Sequence, residues 1–322
     1  MFAITLRATI WAFVREPFRR QNPSNKHKHN KSDSESIYTA LWNAGDLMWG
    51  PRGVGWNWQQ ELRLVVPKPV FETDSRLVFV LLSAARLALY VLGFDACIQT
   101  FRMLSPNTFG SLDGGSLFDH TLPFHLELLR ALFACFLAVW MAYFAIQWSY
   151  QLLAIVSTIL FQQRPSQWPP LFDSPWLSTS LTEFWGRRWH QIMREVVVGL
   201  GSRPFGYLFG RPGGILGAFL VSGVVHDVEH RAFGGGGSSV AIVGFWVVNA
   251  VGVVLERVWT KTTGRRVGGV WGRMWTFGWL ALWGVWLVDE WVKSGRLGAF
   301  SLPGGFEPSV TLVGFVRRCL MG

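Results

Sequence analysis

Charged side chains are scarce in this sequence of 322 residues. They make up 16% of the chain, against about a quarter in soluble domains, while half of the residues are hydrophobic and the mean hydropathy is +0.26. This balance excludes an ordinary soluble domain and predicts a chain whose apolar surface is covered by lipid. The 19 Trp and 25 Phe residues fit that prediction, because Trp is enriched at the boundary between a bilayer and water.

Cysteine is also scarce, with three residues in the whole chain. Cys97 and Cys135 fall inside apolar runs and Cys319 lies in the tail, which excludes a disulfide framework and a CxxC metal site. The net charge of +10 does not indicate a nucleic-acid partner, because the Lys and Arg residues cluster between apolar runs instead of forming a basic stripe. We expect them to contact lipid headgroups and to set the topology.

The apolar runs predict an all-α, polytopic bundle of transmembrane helices with interfacial helices beside it. The second run is long enough for one span plus an interfacial helix, or for a tight pair of helices, and the sequence does not separate these options. The later runs are short and contain polar groups, which is typical of helices that line a protein interior. The five predicted spans are 77–97, 128–161, 215–229, 240–255 and 275–288.

The segments between the spans predict three regions and an orientation. Residues 1–36 hold a short apolar segment and a basic, flexible linker, 37–76 an interfacial segment, and 77–322 the transmembrane core. Lys and Arg are dense before the first span and after the second, whereas Arg102 is the only one between 98 and 127. The positive-inside rule therefore places the linker and the segment before the third span on the cytosolic side.

The first polar cluster is the segment SLTEFWGRRWH at 180–190. Ser180 or Thr182 can cap a helix whose first turn holds Glu183, and the two Trp residues are four positions apart on one face of that helix. One interpretation is an amphipathic surface helix with Trp at the headgroups and Arg reaching towards water. The other is a binding segment in which the two Arg residues hold phosphate.

The second polar cluster is SGVVHDVEH, beginning at Ser222, at the end of the third predicted span. Ionisable groups inside a span normally face a partner or a water-filled cavity, so His226 is a candidate functional residue. Residues 226–230 also fit HxxEH, the pattern of an inverted zinc protease. Such a site needs a third zinc ligand. The acidic candidates are Glu256, Asp289 and Glu290, and the sequence around them shows no pattern typical of a zinc ligand.

Both clusters resemble segments of the wax synthase-like branch of the membrane-bound O-acyltransferase superfamily, especially its fungal members. In these proteins SL-x-x-FW-x-RRWH precedes a span that ends in SG-x-x-H, and a segment RG-x-GW-x-W, here Arg52 to Trp58, lies ahead of the core. The resemblance covers roughly 50–290. This chain departs from the family at two points: Asp227 stands where Glu is common, and fewer spans precede the first motif.

The resemblance implies a helical bundle with a reaction chamber inside the membrane and assigns roles to both clusters. His226 is then the general base and His190 the second active-site residue. The side facing acyl-CoA comprises Trp185, Arg187, Arg188 and Trp189. The supporting residues are Ser222, Asp227 and Glu229.

The activity that follows from the resemblance is transfer of an acyl group, acetyl in the leading hypothesis, from acyl-CoA to a hydroxyl group. The expected partners are acyl-CoA as co-substrate, with no cofactor or metal bound, membrane lipid, and an apolar hydroxylated acceptor such as a terpenoid or meroterpenoid secondary metabolite. The expected location is the endoplasmic reticulum. The alternatives are a long-chain wax-ester synthase, a membrane zinc protease, and a non-catalytic transporter.

Overall fold

The computed structural model of the chain describes residues 2–12, 17–19, 37–50, 53–57, 73–302 and 305–321. It is 75% helical, and no strand occurs in the part of the chain that it describes, so the predicted all-α class is confirmed. The longer helices are α1 (Phe2–Trp11), α2 (Ile37–Trp49), α3 (Arg76–Leu104), α4 (Phe124–Leu160), α5 (Arg203–Ala232), α6 (Ser239–Thr263), α7 (Gly269–Lys293) and α8 (Pro308–Met321).

Among the described residues, four helical segments are long and apolar enough to cross a membrane: α3, α4, the segment Arg194–Ala232 and α6. Each corresponds to one of the first four predicted spans, the second of which was predicted to end one residue beyond α4. The fifth predicted span lies within α7, which is not one of the four, because its Trp residues and Arg273 lower its hydropathy. A polytopic helical membrane protein is thus confirmed.

The second predicted span is a single helix. α4 continues without a break for 37 residues, so the alternative of a tight helix pair is wrong. At 1.5 Å per residue its length is about 55 Å, more than the roughly 30 Å of a hydrocarbon core, so it extends beyond the apolar layer. α4 packs against α3 and α7 around a core of Phe94, Phe101 and Met141.

The third predicted span belongs to a helical hairpin, which the apolar pattern did not indicate. Gly210 has φ 65° and ψ −163°, so the chain reverses direction inside α5. The two arms then pack so closely that a Cβ added to Gly201 would overlap the carbonyl oxygen of Gly217. The segment Arg194–Ala232 therefore forms two antiparallel arms, and only the second, after Gly210, contains the predicted span.

The first arm of the hairpin is held by the amino-terminal helix. The Arg7 Nε and Trp11 Nε1 groups donate to the two carboxylate oxygens of Glu195, at 2.9 and 2.8 Å. Within the RG-x-GW-x-W segment, Trp56 is buried and its Nε1 donates to Asp46 at 3.0 Å, while Arg52 and Trp58 lie outside the described residues. The division of the chain at 36 and 76 stays a prediction.

Candidate active site

The segment 180–190 forms a short helix with two different turns. Ser180 caps its beginning, because its Oγ accepts from the backbone N–H of Glu183 at 3.0 Å, which confirms one of the two predicted caps. From Phe184 the segment continues as a π-helical turn that ends with the N–H of Trp189 donating to the Phe184 carbonyl at 2.8 Å. Such π turns are rare and frequently occur at functional sites.

The segment runs alongside α6 in the opposite direction. Its first residues meet Glu256, whose carboxylate accepts from the backbone N–H groups of Leu181 and Thr182 at 2.6 and 2.9 Å. Four residues further on, the Trp185 Nε1 donates to the Asn249 Oδ1 at 3.1 Å. The Trp185 face of the helix therefore packs on α6, while Thr182, Gly186 and Arg187 are exposed, which argues against the surface-helix interpretation for Trp185.

His226 lies in the second arm of the hairpin, and one of its ring nitrogens is fixed. Its Nδ1 lies 2.8 Å from the carbonyl oxygen of Ser222. A carbonyl can only accept, so Nδ1 carries the proton and Nε2 of the neutral ring has a free lone pair. The ring packs on Trp246, with the two ring centres 4.2 Å apart. Ser222 thus contributes through its backbone carbonyl.

His190 lies at the end of the π turn, beside the rings of Trp189 and Phe172, whose centres are each 5.7 Å from its own. Its Nδ1 is fully buried and has no hydrogen-bond partner among the described residues. Burial, followed by the electrostatic influence of His226, lowers the pKa of His190 from 6.5 to about 3. The imidazole is therefore neutral near pH 7 and keeps one nitrogen available to a ligand.

Aromatic rings connect the two histidines across the interface between the segment and the hairpin. From His226 the contacts lead to Trp246, then to Trp185 at 5.1 Å, to Trp189 at 6.4 Å, and on to His190. Two imidazoles that are 36 positions apart in sequence are thus linked by a continuous set of aromatic contacts, and His226 is near enough to influence the pKa of His190 electrostatically. Their assigned roles in a reaction stay predictions.

The two arginines of the segment are engaged in internal ion pairs. The Arg188 Nε donates to Glu183 at 2.7 Å, its Nη1 donates to the Asp173 carbonyl at 2.8 Å, and its side chain is 15% exposed. The Arg187 Nε pairs with the Asp173 carboxylate at 2.8 Å, but its side chain is 52% exposed. Arg187 is therefore the more accessible of the two to a soluble anion.

The acidic residues that follow His226 pair with arginine and serine side chains. The Asp227 Oδ2 accepts from Arg231 at 3.2 Å and from Ser239 at 2.8 Å, while Glu229 pairs with Arg296 at 3.3 Å. Within the described residues, neither carboxylate is hydrogen-bonded to the His226 ring, whose Nδ1 partner is the Ser222 carbonyl. Their supporting role in the site, like that of the Ser222 side chain, remains a prediction.

His230 is fully buried and uses both ring nitrogens. Its Nε2–H donates to the Gly236 carbonyl at 2.9 Å, and its Nδ1 accepts from Arg296 at 3.3 Å. Over the described ranges no group of three or more His, Cys, Asp or Glu side chains could hold a metal ion. His230 is thus committed to protein partners, which argues against the zinc-protease interpretation of HxxEH.

The sequence interpretation missed three residues of α6 that touch the two histidine-bearing segments: Trp246, Asn249 and Glu256. Glu256 entered only as a candidate zinc ligand. Their spacing of three and seven places them on one face of the helix. A buried amide and a buried carboxylate on one face of an apolar span are the signal that points to them, because polar groups in a span normally face the protein interior.

The sequence of this region matches a known family. Residues 168–247 match the sequence model of the Membrane bound O-acyl transferase family, and this range contains both histidines, the first arm of the hairpin and the His226-facing part of α6. In this region the chain is therefore similar to membrane-bound O-acyltransferases.

The chain is also similar to individual proteins. The acetyltransferase aurG of Calcarisporium arbuscula is 31% identical over 158 residues, which are 45% of this chain and 38% of that protein. The acetyltransferase eriL of Hericium erinaceus is 28% identical over 86% of this chain and 72% of its own length. The long-chain-alcohol O-fatty-acyltransferase of Simmondsia chinensis is 31% identical over 30% of each chain.

These matches confirm the predicted resemblance to the wax synthase-like, fungal branch of the membrane-bound O-acyltransferases, at modest identity. The family and the names of the relatives indicate an acyltransferase enzyme.

Proposed function

We propose that the chain transfers an acyl group of acetyl size from acyl-CoA to a hydroxyl group of an apolar acceptor, at the site formed by His190 and His226. The observation that carries this proposal is the hydrogen bond from the His226 Nδ1 to the Ser222 carbonyl. It fixes the tautomer in which Nε2 is an unprotonated base, and a neutral imidazole is the group that an unactivated alcohol requires.

In the proposed reaction the His226 Nε2 takes the hydroxyl proton while the acceptor oxygen attacks the thioester carbonyl carbon. A C–O bond forms, and the carbonyl oxygen becomes an oxyanion. His190, with its proton on Nδ1, donates a hydrogen bond to that oxyanion from a site that excludes water. Collapse of the intermediate breaks the C–S bond, and the proton on His226 goes to the CoA thiolate, which leaves as the thiol.

The source of the acyl group is assigned from the relatives and from the exposed charge. The names of the fungal relatives support acetyl-CoA as the donor. The accessible guanidinium of Arg187 is the first candidate for a CoA phosphate, with Arg188 behind it and Trp185 and Trp189 lining the path inward. The loop charges support entry from the cytosolic side of the endoplasmic reticulum membrane.

The acceptor is proposed to be a hydroxylated terpenoid or meroterpenoid that reaches the site through lipid. Aromatic and apolar side chains surround both imidazoles, which suits an apolar molecule with one reacting hydroxyl. A long-chain alcohol is the second candidate, because the Simmondsia chinensis protein is named for such a substrate. Both acceptors are consistent with the same proton transfer.

The test is product formation in microsomes from a host that expresses this chain. Extracts supplied with labelled acetyl-CoA are compared by mass spectrometry with those of the His226→Ala variant, and with those of His125→Ala, an exposed histidine outside the site. We expect an acetyl mass gain in the first and third samples only. Ester formation that persists in His226→Ala would contradict the assigned base, and products formed only from long-chain acyl-CoA would favour the wax-ester alternative.

A further inference from the structure

We propose that α6 is the element that positions the two histidines relative to each other, with Asn249 and Glu256 as positioning residues for acyl transfer. The reaction itself rests on the function proposed above. α6 contacts the segment 180–190 at two levels and the His226 ring at a third. From Glu256 to Trp246 these contacts span ten residues, or about 15 Å of helix.

Glu256 holds the beginning of the segment. Its carboxylate is 5% exposed and accepts four hydrogen bonds, from the Leu181 and Thr182 N–H groups, the Thr182 hydroxyl, and the Trp275 Nε1. The free N–H groups and the positive end of the dipole at a helix beginning both favour a negative charge. Glu256 therefore fixes where the segment starts along α6, and it also ties α7 to that point.

Asn249 holds the middle of the segment. Its side chain is fully buried, and its Nδ2 donates to the carbonyl of Phe245 in the same helix at 2.8 Å. That bond orients the amide, so its oxygen faces the Trp185 Nε1 at 3.1 Å. Because Trp185 also contacts Trp246, a shift of the segment along α6 changes the separation between His190 and the His226 ring.

Without the Glu256 and Asn249 hydrogen bonds, we expect the segment 180–190 to lose its fixed position along α6 but to remain folded, because its apolar packing is kept. Leu181 is fully buried against Gly252, where a Cβ would clash with the Leu181 side chain, and Phe184 is buried as well. The segment therefore stays on α6 when the polar contacts are removed, but its register is no longer fixed. A displacement of about 1 Å at a reacting group can lower a rate by about 10²-fold.

The experiment compares Glu256→Leu, which removes every acceptor, with Glu256→Gln, which keeps one carbonyl oxygen for the backbone N–H groups. Asn249→Leu tests the second positioning residue. The matched control is Thr262→Val, which removes an exposed hydroxyl that is hydrogen-bonded within α6. We expect Glu256→Leu and Asn249→Leu to lower kcat about 10- to 100-fold with little change in the KM for acyl-CoA. Glu256→Gln is expected to restore part of kcat, and the control to equal the wild type.

Hydrogen exchange supplies a readout that does not depend on activity. In detergent-solubilised protein, the amides of Leu181 and Thr182 are expected to lose protection in Glu256→Leu and to keep most of it in Glu256→Gln. Unchanged kcat and unchanged protection in Glu256→Leu would overturn the proposal. If Glu256→Leu does not fold, Glu256→Gln and Asn249→Leu decide it by the same two measurements.

The two readouts separate this proposal from the proposed function. A wild-type protein that makes no ester, but whose segment loses amide protection in Glu256→Leu, would contradict the function and leave the positioning role of α6 supported. If the wild type forms the ester and Glu256→Leu, Glu256→Gln and Asn249→Leu all keep its kinetics, the proposed function is supported and the positioning role of α6 is contradicted.

Discussion

His226 and His230 are one helical turn apart, and their surroundings differ completely. His226 uses one ring nitrogen to fix its tautomer and packs the ring on Trp246, whereas both ring nitrogens of His230 are bonded to protein groups. In the sequence the two belong to a single polar cluster. The comparison shows that a high local density of ionisable residues marks a region, while the free hydrogen-bonding capacity of each ring selects the candidate residue within it.

The carboxylates near the two histidines belong to the same network of protein contacts as His230. Asp227 and Glu229 pair with Arg231 and Arg296, and the same Arg296 reaches His230. These groups join the end of α5 to the turn before α6 and to the residues after α7. The cluster thus contains one candidate base, His226, and a set of ion pairs and hydrogen bonds that connects neighbouring helices.

The largest expected loss of acyl-transfer activity is that of His226→Ala, and it tests the comparison of His226 with His230 most directly. Removing a general base lowers rates by about 10² to 10⁴-fold, so acyl transfer should fall by that factor while the protein elutes as folded material from size exclusion. His230→Ala is the counterpart, and its folded fraction should keep the turnover of the wild type. Equal losses of turnover in the two variants would remove the distinction drawn between them.

Replacement of His190 is expected to have the next largest effect. His190→Ala removes the proposed donor to the oxyanion, and loss of one such donor costs about 10² to 10³-fold in kcat. His190→Asn, which still carries an N–H donor, should recover part of that loss. Steady-state kinetics with acetyl-CoA measure both variants, and wild-type kcat in His190→Ala would show that His190 is outside the reaction.

The stability of the network around His230 gives a third prediction. His230→Ala leaves the Gly236 carbonyl without its buried donor and removes one of the acceptors of Arg296, which keeps Glu229; the loss costs about 1–3 kcal/mol in the free energy of unfolding. We expect a lower temperature of thermal aggregation in detergent than for the wild type. A midpoint equal to that of the wild type would mean that water replaces the lost ring contacts.

The low pKa of His190 gives a prediction on acid stability. The folded ring has a pKa of about 3 and the unfolded ring about 6.5, so below pH 6.5 the unfolded chain binds more protons. The corresponding stability is complete above pH 6.5 and declines as the pH falls towards 3. Thermal midpoints at pH 7.5 and 5 should therefore differ less in His190→Asn than in the wild type, and an equal difference would contradict the burial of a neutral ring.

The smallest effect is expected for Glu229→Gln. The Glu229 side chain is 47% exposed, and a pair of this kind contributes about 0–1 kcal/mol. Turnover and thermal midpoint should both stay near the wild-type values in the same assays. A large loss of turnover would instead support the predicted role of Glu229 in orienting the His226 imidazole.

The sequence was sufficient for the class and for the two polar clusters, because long apolar runs and motif order are local properties. It did not predict the hairpin, since the reversal at Gly210 lies among residues whose apolar pattern continues on both sides. Nor did it predict that both nitrogens of His230 are bonded or that Trp185 is held by an amide, because Arg296 is 66 positions from His230 and Asn249 is 64 positions from Trp185. Those contacts depend on how the helices pack.

The contact between Glu195 and the amino-terminal helix has a consequence for work on shortened forms of this protein. Glu195 is five residues after His190, and it is buried with Arg7 and Trp11 as donors to its carboxylate. A gene that starts after α1 would encode every family motif and still leave the buried Glu195 carboxylate without these two donors. Expression clones should therefore include α1, even though no recognisable motif lies within it.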